Sequence, residues 1–155
     1  MEHYIAAFES PLGIVEVTST STHITSVLFV EQRQQETARP AVLQQAIDEL
    51  TQYFSGERTQ FTVPCVQRGT PFQQSVWSAL TAVPYGETAS YKDIATSIQN
   101  DKAVRAVGMT NSKNQLTIIV PCHRIIGSSG KLTGYAGGVW RKEWLLQHEQ
   151  NGGTS

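Results

Sequence analysis

The sequence predicts an α+β fold: an antiparallel meander covered by a helix, then a mostly helical half containing a helix-turn-helix. Three observations predict it. The first thirty residues alternate short β-branched and aromatic runs with turn signals. Residues 42–54 repeat apolar side chains at helical spacing. The second half carries two helix-start signatures, at Thr70 and Ser90, in which a hydroxyl cap is followed three residues later by Gln73 or Asp93.

Taken in order, "HYIAAFE", "GIVEVT" and "HITSVLFV" read as strands, joined by turns at "SPLG" and "STST". Three strands need a cover. Val42, Leu43, Ala46, Ile47, Leu50, Tyr53 and Phe54 supply it as one face of a helix, with Pro40 near its start and Gly56 beyond its end. "GERTQFTVPCVQRG" has no period and is expected to link two domains, 1–69 and 70–155. Cys65 lies in this linker between Val63, Pro64 and Val66, a setting that favours packing over reactivity.

The next helix runs from Pro71 to about Val83, with Phe72, Val76, Leu80 and Trp77 facing inward. Beyond "PYGE", Ser90 caps a short helix "YKDIATSI", and a turn near "QND" leads to "KAVRAVGMT". Two short helices joined tightly suggest a helix-turn-helix, although such pairs also occur in domains that never touch DNA. "LTIIV" reads as a buried strand, followed by "PCHR", a glycine-rich stretch and a last helix, 139–150, with Trp140, Trp144, Leu145 and His148 on one core-facing stripe.

Composition narrows the function. The chain has 155 residues and no apolar run long enough to span a membrane, and its amino terminus lacks the pattern of an export signal, so a cytoplasmic location is expected. Two distant cysteines are then expected to be reduced thiols. The four histidines, His3, His23, His123 and His148, show no zinc spacing, so no metal is expected. Residues 1–70 hold four arginines against eight acids, a net of −4. Residues 71–155 hold eight lysines and arginines against five acids, a net of +3. The basic half suits a polyanion, and equally an ordinary solvated surface.

Cys122 and His123 are a candidate nucleophile and base. A free thiol has a pKa of about 8.5, so it needs help to ionise near neutrality. Neighbours on an extended strand point to opposite faces, so contact between them requires a turn at Pro121 or a bridging water. An inert buried cysteine beside a satisfied histidine fits the tripeptide as well, whereas a papain-like protease does not, because its local signature is absent.

"GTPFQQSVW", "PYGETASY", "RAVG", "NSKNQLTIIVPCHRIIGSSGKLTGYAGG" and "RKEWLLQHE" together resemble the O6-alkylguanine-DNA alkyltransferases in order and spacing, over about residues 70–150. The resemblance implies that the meander and helix form a ribonuclease-H-like domain and that the rest binds DNA. It implies that Cys122 takes the alkyl group, that His123 deprotonates it through a water, that Glu149 orients His123, and that Asn114 holds the active-site turn. Tyr91 is expected to press on the flipped nucleotide's phosphate and to give a proton to the leaving guanine. Arg105 would fill the stack, on a recognition helix from Ala103 to Asn111 that also presents Ala106 to the minor groove. Val120, Pro121, Gly134, Tyr135 and Ala136 would line the base pocket.

The implied partner is double-stranded DNA containing O6-alkylguanine, met by a monomer, with room for several molecules along one duplex. No cofactor is implied, because the lesion is the donor. Extruding the base suits the chemistry, since a damaged, poorly paired nucleotide costs least to unstack. Ala136 departs from a serine common in the family, which bears on lesion preference, and Gln115 from a proline, which bears on loop rigidity. A non-catalytic lesion sensor of the alkyltransferase-like type is the alternative, opposed by the presence of Cys122.

Overall fold

The computed structural model describes residues 2–135 and 137–153, which fall into two compact units divided between Gln67 and Arg68. In the first, β1 (Tyr4–Ser10), β2 (Gly13–Ser19) and β3 (Ile24–Val30) form an antiparallel sheet in the order β1-β2-β3. Ala6 pairs with Val17, and Val17 with Val27, which puts these side chains on one face. Helix α1 (Ala41–Phe54) covers that face. Its Val42, Leu43, Ala46, Ile47, Leu50 and Tyr53 are buried, as the periodicity predicts, and Phe54 meets Phe8 edge to face.

Both sheet edges are covered. Thr37 and Glu36 bond the backbone of β1 at Ile5 and Ala7. The expected linker does the same for β3, where Ile24 N–H donates to Pro64 O and Val66 N–H donates to Ile24 O. Glu49, buried on α1, accepts from Thr62 N–H, Val63 N–H and the Thr62 hydroxyl, and so pins the linker's start. Cys65 lies along this edge. Burial raises its thiol to about 11, in keeping with a packing role.

The second unit begins with α2 (Pro71–Thr81). The Thr70 capping box is present as the sequence predicts, and Val76, Trp77 and Leu80 are buried. Ser90 likewise caps α3 (Tyr91–Ser97) through a box with Asp93. A turn with Gln99 in the left-handed region leads to α4 (Val104–Ser112), which packs on α3 and α2. The two-residue strands β4 (Ala89–Ser90) and β5 (Ile125–Ile126) pair in parallel, and α5 (Val139–Gln150) completes the unit.

Two expectations are corrected. "LTIIV" is not a strand: Val120 N–H donates to Leu116 O at 2.8 Å and Ile119 N–H to Thr117 O at 2.9 Å, so the chain doubles back on itself. Ile118 sits at φ 73° in this turn, a left-handed conformation that is an outlier for a β-branched residue. The stripe on α5 also differs. Leu145 and His148 are buried, but Trp140 is 57% exposed, with the Arg141 guanidinium over its ring, and Lys142, Leu146 and Glu149 face the core instead. Apolar character does not decide inward placement here, because polar groups inside the unit recruit charged partners from α5.

Candidate active site

Asn114 builds the turn that carries the cysteine. Its side-chain N–H donates to Val120 O at 2.9 Å and its Oδ1 accepts Leu116 N–H at 3.0 Å, so one amide replaces the ladder partners that a strand would have had. Pro121 then starts a 3-10 turn, Cys122–Arg124. The objection that Cys122 and His123 must point to opposite faces lapses, since it holds only for an extended chain. The turn leads straight into β5, and β4 leads straight into α3. The β4–β5 pairing therefore anchors the cysteine turn beside the start of the helix that carries Tyr91.

His123, Arg124 and Glu149 form a buried cluster, which the Gly86 N–H joins at 3.4 Å from Glu149 Oε1. His123 Nε2 lies 2.6 Å from Glu149 Oε2. Arg124 donates from Nε to Oε1 at 2.8 Å, from Nη2 to Oε2 at 3.0 Å, and from Nη1 to Val83 O at 2.7 Å. Burial alone would raise the Glu149 carboxyl. The hydrogen bond and charge of His123, with Arg124, outweigh it and hold the carboxyl well below the usual range. Glu149 is thus an acceptor only, so His123 Nε2 carries the hydrogen and Nδ1 carries the lone pair. Nδ1 is buried without a hydrogen-bond partner among the described residues. Burial also lowers the pKa of His123, so its ring is neutral.

Cys122 is buried beside this cluster, and burial raises its thiol, opposed by the Asn114 side chain and by the charge of Lys142. The thiol is protonated at rest. Lys142 is wholly enclosed, its Nζ donating to Thr133 O at 3.3 Å, and burial lowers its pKa against the opposing pull of Cys122. Thr133 also meets Tyr91, hydroxyl to hydroxyl, at 2.5 Å. Tyr91 in turn lies against α4 at Gly108.

The other expected residues separate into groups. Val120 and Pro121 are buried next to Cys122, and Tyr135 is half-buried, with a hydroxyl that is enclosed and has no partner among the described residues. Burial, then the neighbouring Cys122, keeps that hydroxyl protonated far above the ordinary tyrosine range. Gly134 is exposed, and Ala136 lies outside the described residues. On α4, Arg105 and Ala106 are exposed with Val104 and Met109, and Ala103 is half-exposed at the helix start. Asn111, expected on this face, is instead buried, at 5% exposure. Trp77 Nε1–H donates to the neighbouring Thr110 O, which turns that end of α4 toward α2.

Local sequence pattern does not single out Arg124, Lys142 or Thr133. Arg124 carried a signal, a cation inside "PCHR" directly after a β-branched run, but its partner Glu149 is 25 residues away. Among the described residues no group of three or more His, Cys, Asp or Glu side chains could hold a metal ion, and no helix is long and apolar enough to cross a membrane.

Comparison with known proteins agrees along both units. Residues 3–66 match the 6-O-methylguanine DNA methyltransferase ribonuclease-like domain, and residues 71–151 match the DNA binding domain of the same family. A methylated-DNA–protein-cysteine methyltransferase of Mycobacterium tuberculosis is 46% identical over 156 residues, 97% of this chain and 94% of that protein. The constitutive enzyme of that name from Bacillus subtilis is 46% identical over 161 residues, 97% and 96% of the two chains. The crystal structure of M. tuberculosis OGT in complex with DNA superposes with a TM-score of 0.87 at 46% identity, covering 94% of this chain and 92% of that one. With both units matched and relatives nearly half identical over almost their whole length, the chain belongs to the 6-O-methylguanine DNA methyltransferase family.

Proposed function

We propose that this protein repairs DNA by direct reversal: it transfers the alkyl group of O6-alkylguanine in duplex DNA to its own Cys122, once per molecule. The observation that carries the reading is the buried row of Cys122, a neutral His123 and an ionised Glu149, in which the free lone pair of His123 is on Nδ1. That row can take a proton from a thiol once a water bridges Cys122 and His123. The chain's membership of the family and the DNA-bound relative support DNA as the partner.

In the proposed reaction the Cys122 proton passes to His123 Nδ1 through a bridging water, and Glu149 stabilises the imidazolium that forms. The sulfur bonds the alkyl carbon as the carbon–O6 bond breaks. Guanine leaves with that electron pair and takes a proton from the Tyr91 hydroxyl, which meets Thr133 at rest; the phenolate regains a proton from solvent as the imidazolium gives up its own. The product is a thioether, which water does not cleave, so turnover stops at one. The positive charge of Lys142 stabilises the developing thiolate.

The exposed face of α4, with Ala103, Arg105 and Ala106, is proposed to lie in the minor groove, Arg105 replacing the extruded base and offsetting part of the unstacking cost. Asn111 has a different place, bracing the far end of α4 near the Asn114 turn. Val120, Pro121, Gly134 and Tyr135 would hold the base, with the Tyr135 hydroxyl as a donor. Residues 70–155 would thus carry the chemistry and the DNA contact, and 1–69 would act as a scaffold. A cytoplasmic location suits the two free cysteines.

The test is intact-protein mass after mixing with excess duplex carrying one O6-methylguanine, followed by peptide mapping. One added methyl on the Cys122 peptide, stopping at one per chain, is expected. Selective binding of the lesion with no added mass would make the protein a sensor.

A further inference from the structure

Arg124 does more than fasten α5 to the cysteine turn. It occupies both oxygens of Glu149, at 2.8 and 3.0 Å, on the same carboxylate that accepts from His123 at 2.6 Å. Its third donor is fixed on Val83 O at 2.7 Å, so the guanidinium has no freedom to withdraw. A carboxylate bonded to a buried imidazole ordinarily draws a proton onto the ring. A guanidinium clamped on that carboxylate opposes the draw, because the imidazole then faces an ion pair and not a bare anion.

We infer that Arg124 is a positioning residue for the Cys122–His123–Glu149 row: by clamping Glu149 it weakens the carboxylate's draw on the ring, so that buried His123 stays an uncharged base until a lesion is engaged. The charged and titratable groups of His123 and of its partners set the terms of that placement. From α5 come Glu149 and Lys142, from its own turn Arg124 and Cys122, from the glycine-rich loop Tyr135, and from the turn before β4 Tyr85, under the Arg124 guanidinium. Glu149 is the one anion in this set against two cations, and both tyrosines are held neutral by burial. Burial disfavours an imidazolium first; Glu149 favours one, and the charges of Arg124 and Lys142 offset part of that pull. A protein that spends its nucleophile once gains from this arrangement: a thiol ignores stray electrophiles that a thiolate would attack.

The use made of this proton placement rests on the alkyl-transfer reading, but the placement itself is measurable without DNA. We would follow the His123 ring nitrogens by ¹⁵N NMR from pH 5 to 9 in the wild-type chain, R124K and R124M, with tryptophan fluorescence as the check of folding. The wild type should show a neutral ring with hydrogen on Nε2, titrating below the ordinary histidine value. R124M should raise the His123 pKa by about one unit or more, a tenfold change in proton affinity, and R124K by less, because it keeps the charge and loses the fork. A residue that only packs would move neither titration. A charged His123 at pH 7 in the wild type, or an unchanged titration in folded R124M, would overturn the inference. Should R124M fail to fold, the wild-type and R124K titrations decide. Mass analysis of the same wild-type sample separates the two readings: methyl transfer by a chain whose His123 is charged at rest sinks this inference alone, and a neutral His123 in a chain that takes no methyl sinks the proposed function alone.

Discussion

Glu49 in the first unit and Glu149 in the second are equally enclosed, each 3% exposed, yet they do different things. Glu49 is met by neutral groups, the N–H of Thr62 and Val63, the Thr62 hydroxyl and the Gln45 amide, with Arg58 no nearer than 4.0 Å. Glu149 is met at 2.6–3.0 Å by a guanidinium and an imidazole, with one neutral donor, the Gly86 N–H, further off at 3.4 Å. Burial would raise both carboxyls, and hydrogen bonds hold both below the usual value. Neutral donors make Glu49 a staple between α1 and the linker. An ionisable donor places Glu149 in the proposed proton path. The cysteines repeat the contrast: among the described residues Cys65 Sγ donates to the Val63 carbonyl and feels the Glu49 carboxylate, and Cys122 has Asn114 and Lys142. What separates scaffold from site is the partners, and depth is common to both.

The sharpest way to break this contrast is at the sulfurs. C122A should abolish methyl transfer completely, read as intact mass, while C65S should take up one methyl per chain as the wild type does. A methyl found on Cys65 would end the comparison. At the carboxylates, E149Q strands Arg124 and should cost about 3–5 kcal/mol of stability and slow transfer strongly. E49Q weakens charge-assisted bonds and should cost about 1.5–3 kcal/mol, with transfer unchanged below its melting temperature. Urea unfolding and mass analysis of both variants would show whether the losses separate.

Acid should act on the second unit first. His123 is lowered from 6.5, so its neutral form stabilises the fold above that pH and the contribution fades as pH falls toward its folded value. Glu149 and Glu49 are lowered from 4.5, so theirs persists to about that pH and fades below it. All three tryptophans, Trp77, Trp140 and Trp144, lie in the second unit, so their fluorescence reports it alone. The urea midpoint seen by tryptophan should begin to fall near pH 6.5. An onset only below pH 4.5 would place the burden on Glu149 and remove His123 from the account. The smallest effects concern helix starts. T70A and S90A should each cost about 1 kcal/mol by losing a capping box. Of the two, S90A alone should also slow transfer, because α3 begins at Tyr91.

Much of the scaffold could be read from local pattern. The α1 face, both capping boxes and the meander depend on residues within a few positions of one another, where spacing is informative. The turn at 114–122 could not. Its β-branched residues have strand propensity, and a single asparagine side chain overrides it by supplying the backbone's partners. Arg124, Lys142 and Glu49 escaped for a related reason: each matters through a partner 9 to 25 residues away, which no periodicity reports. Trp140 misled in the opposite direction, since its size suggests core while its place at the helix start exposes it. The chemistry of Cys122 and His123 is legible only in the resemblance of whole blocks, because Pro121–His123 alone fits an inert buried cysteine as well.

Ile118 gives the active-site turn an unequal share of the molecule's energy. A buried β-branched residue at φ 73° carries about 1–3 kcal/mol of conformational cost, and the Asn114 amide is what keeps the turn closed over it. The cysteine is thus seated in a metastable segment four residues on. Forcing a methyl onto its sulfur crowds a packed site by about another 1–3 kcal/mol, and the cheapest relief is to release the turn. Amides of residues 116–120 and 122 should exchange with solvent faster in the methylated protein than in the unreacted one, with β1 and β2 unchanged as an internal reference. The repaired lesion would then leave a local scar in its acceptor, a chain whose spent state can be read from outside by how readily one turn opens.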